Sequence, residues 1–197
     1  MPKLPRYKLE ERLNNEEEIL KGKGTYFSRA DIWKELEITS YTRVIQTERL
    51  FVAREYTVDL KAKGFVRSSL EPTPRNLWDH KADIYILDSY PYPTDRSEVG
   101  APVRILWLTP IFHPNIRNGL EAGGDGAICW LLMTEWTNLD TLYGIVRGLE
   151  LLIESPNTAS PLRDSESLAA AKWFKEQMPV LKGPKILERR DLSLERI

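Results

Sequence analysis

The sequence feature that most constrains the fold is a proline-rich stretch between two strand-like segments. Residues 82–87 and 103–109 are rich in isoleucine, leucine, valine, tyrosine and tryptophan, a composition typical of β-strands. Residues 90–95 between them read Tyr-Pro-Tyr-Pro-Thr-Asp, and proline cannot donate a hydrogen bond to a neighbouring strand. Consecutive strands with short connections favour antiparallel pairing. We therefore predict an antiparallel β-meander in the middle of the chain.

A helical pattern precedes this meander. Residues 42–63 contain no glycine or proline and carry apolar side chains at helical spacing, which predicts an N-terminal helix that ends at Gly64. Residues 40–70 hold six basic side chains against three acidic ones. The basic excess indicates a solvated helix face, with a protein-docking face as the alternative.

Two helices are predicted after the meander. Apolar side chains between residues 139 and 153 form one helical stripe, with Thr137 or Asn138 as the N-cap and residues 155–156 (Ser-Pro) as the end. A further helix is predicted over residues 164–178, capped by residue 164 or 165 and stopped by the proline at 179. Helices set apart from an antiparallel meander define an α+β fold.

The chain divides into three predicted parts. Residues 1–39 form a charged N-terminal extension, which is interpreted as partly helical with solvated faces or as a docking arm. Residues 40–184 form the main predicted domain, and residues 185–197 form a charged C-terminal tail.

Overall charge and targeting signals exclude several classes of protein. Lysine plus arginine number 28 and aspartate plus glutamate 29, so the net charge is -1. No broad positive field is available for nucleic acid or an anionic membrane, and neither is an expected partner. The longest apolar run, residues 127–133, is far shorter than the roughly 20 residues that span a bilayer. No secretory signal is visible, and we expect a reducing, cytoplasmic location.

Most familiar catalytic and cofactor sites are absent from the sequence. One cysteine, Cys129, excludes an internal disulfide, and with only two histidines it excludes the common zinc clusters. The chain has no phosphate loop, no dinucleotide fingerprint and no serine-hydrolase elbow. Residues 123–126 (Gly-Gly-Asp-Gly) lack a nearby basic partner and indicate a flexible loop. No metal and no cofactor is therefore expected.

Cys129 has two interpretations from its surroundings. In the apolar run it is a small buried hydrophobe, whereas the glycine-rich loop upstream gives a thiol nucleophile access to its substrate. Asn115 precedes it by 14 residues, and an asparagine amide can stabilise a developing oxyanion. A cysteine hydrolase would also need a histidine base, for which His113 and His80 are the candidates.

Several of these residues resemble the ubiquitin-conjugating enzyme family. Residues 108–116 (Leu-Thr-Pro-Ile-Phe-His-Pro-Asn-Ile) resemble its strand end and HPN motif, and residues 126–129 (Gly-Ala-Ile-Cys) resemble the stretch that carries its thioester cysteine. Residues 155–162 look like its PN-x-x-x-PL element. The remaining pieces are Trp136, the Tyr90-Pro91 turn and the proline-led strand at residues 101–105.

The resemblance implies a fold and a reaction. The fold is an N-terminal helix, an antiparallel meander, an active-site loop and C-terminal helices. Cys129 would accept ubiquitin or a ubiquitin-like modifier as a thioester from an activating enzyme and pass it to a lysine of a protein substrate, with or without a ligase. The predicted basic helix would dock the activating enzyme, and no cofactor is implied.

The resemblance also implies roles for the residues around the thiol. Asn115 would stabilise the oxyanion or, alternatively, brace the active-site loop. His113 and Pro114 would fix the turn that presents Asn115. Ser160 lies where many members carry an acidic residue that orients the incoming lysine, and a serine can only hydrogen bond there. Trp136 is a supporting residue of the same motif set.

The chain departs from the family pattern in several places. Residues 120–125 are extra length between the asparagine and the cysteine, Trp130 and Leu131 follow the cysteine, and residues 137–139 differ from the usual ligase-contacting loop. We interpret the chain as a divergent member of the family with a trimmed N-terminal sheet. A prokaryotic ubiquitin-like system is one source that this divergence suggests. The alternatives are an inactive, modifier-binding variant of the same fold and an unrelated cysteine hydrolase.

Overall fold

The computed structural model describes residues 3–41, 45–68, 71, 73–94, 100–130, 133 and 135–177. Within these ranges one helix precedes a four-stranded sheet and two helices follow it. The helices are α1 (Arg6–Gly22), α2 (Leu142–Glu154) and α3 (Ser165–Gln177), and the strands are β1 (Phe27–Tyr41), β2 (Ile45–Val66), β3 (Arg75–Leu87) and β4 (Val103–Trp107). The strands lie in sequence order, each antiparallel to the next. The predicted α+β plan with its antiparallel meander is confirmed.

The predicted helix over residues 42–63 is wrong, because residues 45–63, the described part of this stretch, form most of β2. Its central residues alternate between a buried apolar side chain and a polar one, and the buried set is Tyr56, Val58, Leu60 and Ala62. A period of two residues is that of a strand and outweighs the weaker helical spacing. The basic helix expected to dock an activating enzyme therefore does not exist.

The N-terminal part of the sheet is long, and the expected trimming is also wrong. β1 has 15 residues and β2 has 22, whereas β3 pairs with β2 only from Val66 back to Val52. The hairpin end of β1 and β2 extends beyond the residues that pair with β3, and it contacts β4. One contact there is an ion pair between Glu48 and the buried Arg104, at 3.0 Å.

The helix α1 is part of the core. Its leucines Leu9, Leu13 and Leu20 are at most 1% exposed and belong to the same apolar cluster as the sheet and α2. Glu16 and Glu17 are buried as well, although the charge density of this segment predicts solvated faces. Elements of the predicted extension thus share a core with the main predicted domain, whose boundary at residue 39 stays a prediction.

The two C-terminal helices are confirmed with one change of cap. α2 begins at Leu142, and its N-cap is Thr141, whose Oγ1 accepts a hydrogen bond from the Gly144 amide. Thr137 instead donates to Asp140 in a separate turn, so neither predicted cap is used. Asp164 caps α3 as predicted, since its Oδ1 accepts from the Ser167 amide at 2.9 Å. The predicted helix end at residue 179 and the tail at 185–197 lie outside the described residues.

Candidate active site

Cys129 lies at the end of a short pair of extended segments. Ile116 and Ile128 form an antiparallel bridge. On either side of it, the Arg117 amide donates to the Ala127 carbonyl and the Cys129 amide donates to the Asn115 carbonyl, both at 2.9 Å. We call residues 115–117 and 127–129 the cysteine strand pair. The pairing brings the predicted asparagine and the predicted cysteine side by side.

The Cys129 thiol is free and half-buried. Burial raises its pKa above the ordinary value of a thiol. Because the thiolate is the nucleophile, only a small share of the thiol is reactive near neutral pH. Within the described residues the sulfur has no hydrogen-bond partner that would activate it. This thiol therefore suits a substrate whose acyl group is already activated.

His113 is used entirely inside the protein. Its Nδ1 accepts a hydrogen bond from the Asn115 amide at 3.0 Å, which leaves Nε2 as the protonated nitrogen that donates to the Leu152 carbonyl at 2.9 Å. Burial lowers the pKa of His113 to about 3. The ring is thus a neutral link between the strand pair and α2. It offers no base for the thiol.

His80 does not supply that base either. The ring is 1% exposed, lies 5.4 Å from the Trp107 ring and has a pKa lowered by burial. Its Nε2 is paired with the Leu77 carbonyl. Neither histidine makes a hydrogen bond to Cys129 in the described structure, so a histidine-activated hydrolase finds no support here.

Asn115 holds the loop that follows α2. Its Nδ2 donates to the carbonyls of Asn157 and Ser160 at 3.1 and 3.0 Å, and its Oδ1 accepts from the Asn157 amide at 2.8 Å. The residue is 2% exposed. Both amide hydrogens are committed in this geometry, and this arrangement favours the bracing alternative over direct donation to an oxyanion.

Pro114 and Ser160 complete the same junction. The Pro114 carbonyl accepts from the Leu162 amide at 2.8 Å, which fixes the chain just beyond Ser160. Ser160 itself is exposed, and its carbonyl is the one held by Asn115. The structure therefore links His113 and Ser160 to Asn115, the residue whose backbone pairs with Cys129.

Trp136 belongs to a neighbouring junction. Its Nε1 donates to the Pro91 carbonyl at 2.8 Å, and its ring lies 5.8 Å from the ring of Tyr90. The Tyr90-Pro91 turn and the tryptophan of the motif set are thus in direct contact.

The extra length at residues 120–125 begins with a short 3-10 turn (Leu120–Ala122) that has no buried residue. Gly126 has φ +63°, and a Cβ there would lie 2.3 Å from the Trp107 carbonyl oxygen. A Cβ on Gly124 would lie 1.9 Å from the Asn118 carbonyl oxygen. Gly124 and Gly126 are thus needed for close backbone approach, whereas Gly123 faces open space. The flexibility expected of this loop stays a prediction.

Two features near the cysteine escaped the sequence analysis. Arg117 forms ion pairs with Asp125 and Asp164, and the Trp130 ring covers Gly148 of α2. The one sequence signal for the Arg117 ion pairs was an arginine just before the extra loop and an aspartate at its end. The second has no sequence signal, since it depends on how α2 crosses the strand pair.

Two kinds of feature are absent from the ranges that the structure describes. These residues contain no group of three or more histidine, cysteine, aspartate or glutamate side chains placed to hold a metal ion. None of the described helices has both the length and the hydropathy to cross a bilayer.

Similar proteins exist among those of known function. The chain is 40% identical over 63 residues to the ubiquitin-conjugating enzyme E2 PEX4 of Gibberella zeae, which is 32% of this chain and 34% of that protein. It is 33% identical over 91 residues to the ubiquitin-conjugating enzyme E2 pex4 of Dictyostelium discoideum, 46% of this chain and 52% of that protein. The chain thus spans about half or less of these relatives, both of which are eukaryotic. Nothing in them supports the prokaryotic source.

A solved structure and the family comparison complete these findings. The E2 domain of a Toxoplasma gondii ubiquitin conjugating enzyme is 20% identical, with a TM-score of 0.49 over 86% of this chain and 88% of that one. No protein-family model matches the chain.

Proposed function

We propose that this chain carries ubiquitin or a ubiquitin-like protein as a thioester on Cys129 and transfers it to a lysine amine of a protein substrate. The observation that carries the proposal is the cysteine strand pair, where a half-buried thiol adjoins an asparagine that braces the loop bearing Ser160. The likeness to two ubiquitin-conjugating enzymes supports the same reaction class. An activating enzyme and a ligase are the partners this reaction implies.

The state of the thiol fits acyl exchange better than hydrolysis. With a raised pKa and no hydrogen bond from either histidine within the described structure, Cys129 needs an acyl group that is already activated. Its thiol loses a proton and attacks the thioester on the activating enzyme, whose own thiol leaves. A lysine amine then attacks the new thioester, and the Cys129 thiol is the leaving group.

Asn115 serves this proposal best as a brace. One of its bonds to the carbonyls of Asn157 and Ser160 would have to break before the amide could face an oxyanion. As a brace, it fixes the wall beside the thioester along which the amine approaches. Ser160 can contribute a hydrogen bond to that amine but no negative charge.

The proposal is tested with purified activating enzyme, modifier and ATP. Wild-type chain is expected to form an adduct that a thiol reductant removes, and Cys129→Ser an adduct that resists the reductant or none. An adduct on Cys129→Ala would overturn the proposal. Modifier binding that is unchanged in Cys129→Ala, with no thioester under any condition, would favour the inactive binding variant.

The role of Asn115 has its own test. Asn115→Ala is expected to slow transfer to lysine more than it slows loading, and to speed hydrogen exchange of the Asn157 amide. Because the truncation frees the Asn157 amide in either role, the deciding readout is the Leu162 amide, which bonds to Pro114. Slowed transfer with unchanged exchange at Leu162 would instead favour oxyanion stabilisation. The matched control is Asn118→Ala, because Asn118 donates no bond to the loop at 157–160 and its Oδ1 accepts from the Ile111 amide.

A further inference from the structure

The loop that bears Ser160 is attached to the cysteine strand pair at more than one point. Asn115 holds its first part through Asn157 and Ser160. Arg117 follows Asn115 by two residues, and in an extended segment such residues project to the same side. Arg117 is thus placed to reach the end of the same loop, where α3 begins.

The Arg117 guanidinium joins three pieces of chain. Its Nε donates to Asp164 Oδ2 at 3.1 Å, and its Nη1 donates to Asp125. Asp125 in turn accepts from the Ala127 amide at 3.1 Å. One side chain therefore connects the cysteine strand pair, the extra loop before the cysteine and the first turn of α3.

These ion pairs differ from isolated surface pairs. An exposed pair contributes about 0–1 kcal/mol, but here the three side chains are only 22–33% exposed and one planar group serves two carboxylates. Asp164 is also committed to Ser167, whose amide and hydroxyl both donate to it. Burial raises the pKa of Asp164, yet these hydrogen bonds and the Arg117 charge bring it below the ordinary value.

We propose that Arg117 is a positioning residue for Cys129 and that Asn115 and Arg117 form a two-point clamp on residues 157–164. The inference rests on the proposed function, because the clamped segment is the wall beside the thioester. Without Arg117 that wall and the extra loop shift relative to the sulfur, and fewer thioester conformations are productive.

The first experiment needs no partner protein. Hydrogen exchange is measured in full-length wild type and Arg117→Met. The Cys129, Asn157 and Leu162 amides, which all bond to residues 114–115, are expected to exchange about tenfold faster in the variant. The Ile84 amide in the sheet is expected to be unchanged. Faster exchange at Ile84 too would reduce Arg117 to a general stabilising residue and overturn the proposal.

Matched variants separate the clamp from ion pairing in general. Arg67→Met is the control, because Arg67 also binds the first turn of α3, through Glu166, yet makes no hydrogen bond to residues 115–129 within the described chain. The amide hydrogens of Arg67→Met are expected to exchange at wild-type rates. Arg117→Lys keeps the charge but not the fork, and is expected to restore part of the protection.

The second experiment measures discharge of the preformed thioester to free lysine. Arg117→Met is expected to lower the maximal rate about tenfold and leave the half-saturating lysine concentration unchanged, since geometry and not amine binding is affected. Arg117→Lys is expected to recover part of the rate. If Arg117→Met exchanges its amide hydrogens and discharges its thioester at the same rates as Arg67→Met, the clamp proposal is overturned. Local exchange that rises while wild type forms no thioester would support the clamp and reject only the proposed function.

Discussion

The first helix and the cysteine strand pair are attached to the same sheet by different kinds of contact. On α1, the buried carboxylate of Glu17 accepts from Arg54 and Tyr56, both at 2.8 Å, and from the partly exposed Arg29. The neighbouring Glu16 accepts from Tyr90 and from the Leu142 amide at the start of α2. Around the cysteine, the nearest links are the neutral side chains of Asn115 and His113.

The difference shows where this molecule uses buried charge. A buried ion pair that loses one partner leaves an uncompensated charge and is therefore strongly position-defining. Such contacts suit the junction of α1, the sheet and α2, which has no need to open. Neutral links hold the thiol region without placing a full charge beside the sulfur. The ion pairs of Arg117 lie one step further away.

The largest effect on stability is expected from breaking the charged junction. Glu17→Ala leaves the Arg54 guanidinium, 4% exposed, with Asp31 as its remaining acidic partner. We expect the free energy of unfolding to fall by about 3 kcal/mol, measured by urea unfolding followed by tryptophan fluorescence. Glu18→Ala is the control, since that side chain is 72% exposed and the expected loss is under about 0.5 kcal/mol. If Glu17→Ala and Glu18→Ala lose equal amounts of unfolding free energy, the buried charge of Glu17 does not define the position of α1.

A pH effect of intermediate size is expected on the cysteine side. The folded-state pKa of His113 is about 3, against about 6.5 for an unperturbed histidine. The unfolded chain therefore binds more protons between these values, and stability falls as pH drops from about 6.5 towards 3, by up to about 1.4 kcal/mol per pH unit. His80, whose pKa is also lowered by burial, acts in the same direction.

The contribution of His113 is isolated by difference. Unfolding free energies of wild type and His113→Gln are compared between pH 7 and 4.5, where other titrating groups are common to both proteins. We expect the wild-type curve to fall more steeply than that of the variant over this range. Parallel curves would mean that His113 titrates in the folded protein as it does in the unfolded chain.

The smallest effect is expected where Trp130 covers α2. A Cβ on Gly148 would lie 2.3 Å from Cζ2 of Trp130, so Gly148→Ala must displace the ring next to Cys129. Overpacking is expected to lower the free energy of unfolding by about 1–3 kcal/mol, and the better helix propensity of alanine to raise it by about 1 kcal/mol. The net loss of stability is therefore expected to be about 1 kcal/mol. We expect a changed rate of Cys129 alkylation by iodoacetamide.

Gly144→Ala, one turn earlier, is the control for this change. Its Cβ would meet Thr141 Oγ1 at 3.5 Å, an ordinary contact, so wild-type alkylation is expected with no loss of stability. If both alanine variants alkylate like wild type, the Trp130 contact has no influence on the thiol.

Local patterns were sufficient for much of the C-terminal half. The apolar stripe of α2 and the Asp164 cap of α3 follow from nearest neighbours along the helix. The N-terminal half was harder. Residues 52–62 satisfy a strand period and, more weakly, a helical spacing, and only pairing with β1 and β3 on both sides decides between them.

The site divides in the same way. The HPN motif and the cysteine are recognisable as residue types in order, and the structure places them together through the Ile116–Ile128 bridge. The partners of Asn115 could not be deduced, because Asn157 and Ser160 are more than forty residues away along the chain. The Arg117 ion pairs depend likewise on where α3 begins.

The sequence by itself determined the α+β plan, the single thiol and the motif residues around it, because composition, period and residue order are local properties. Only the tertiary structure decided that α1 is part of the core, that Glu16 and Glu17 are buried, and that Asn115 braces a loop. The physical reason is that a charge or an amide becomes costly to leave unpaired only when it is buried. Burial is set by elements that are distant in the chain.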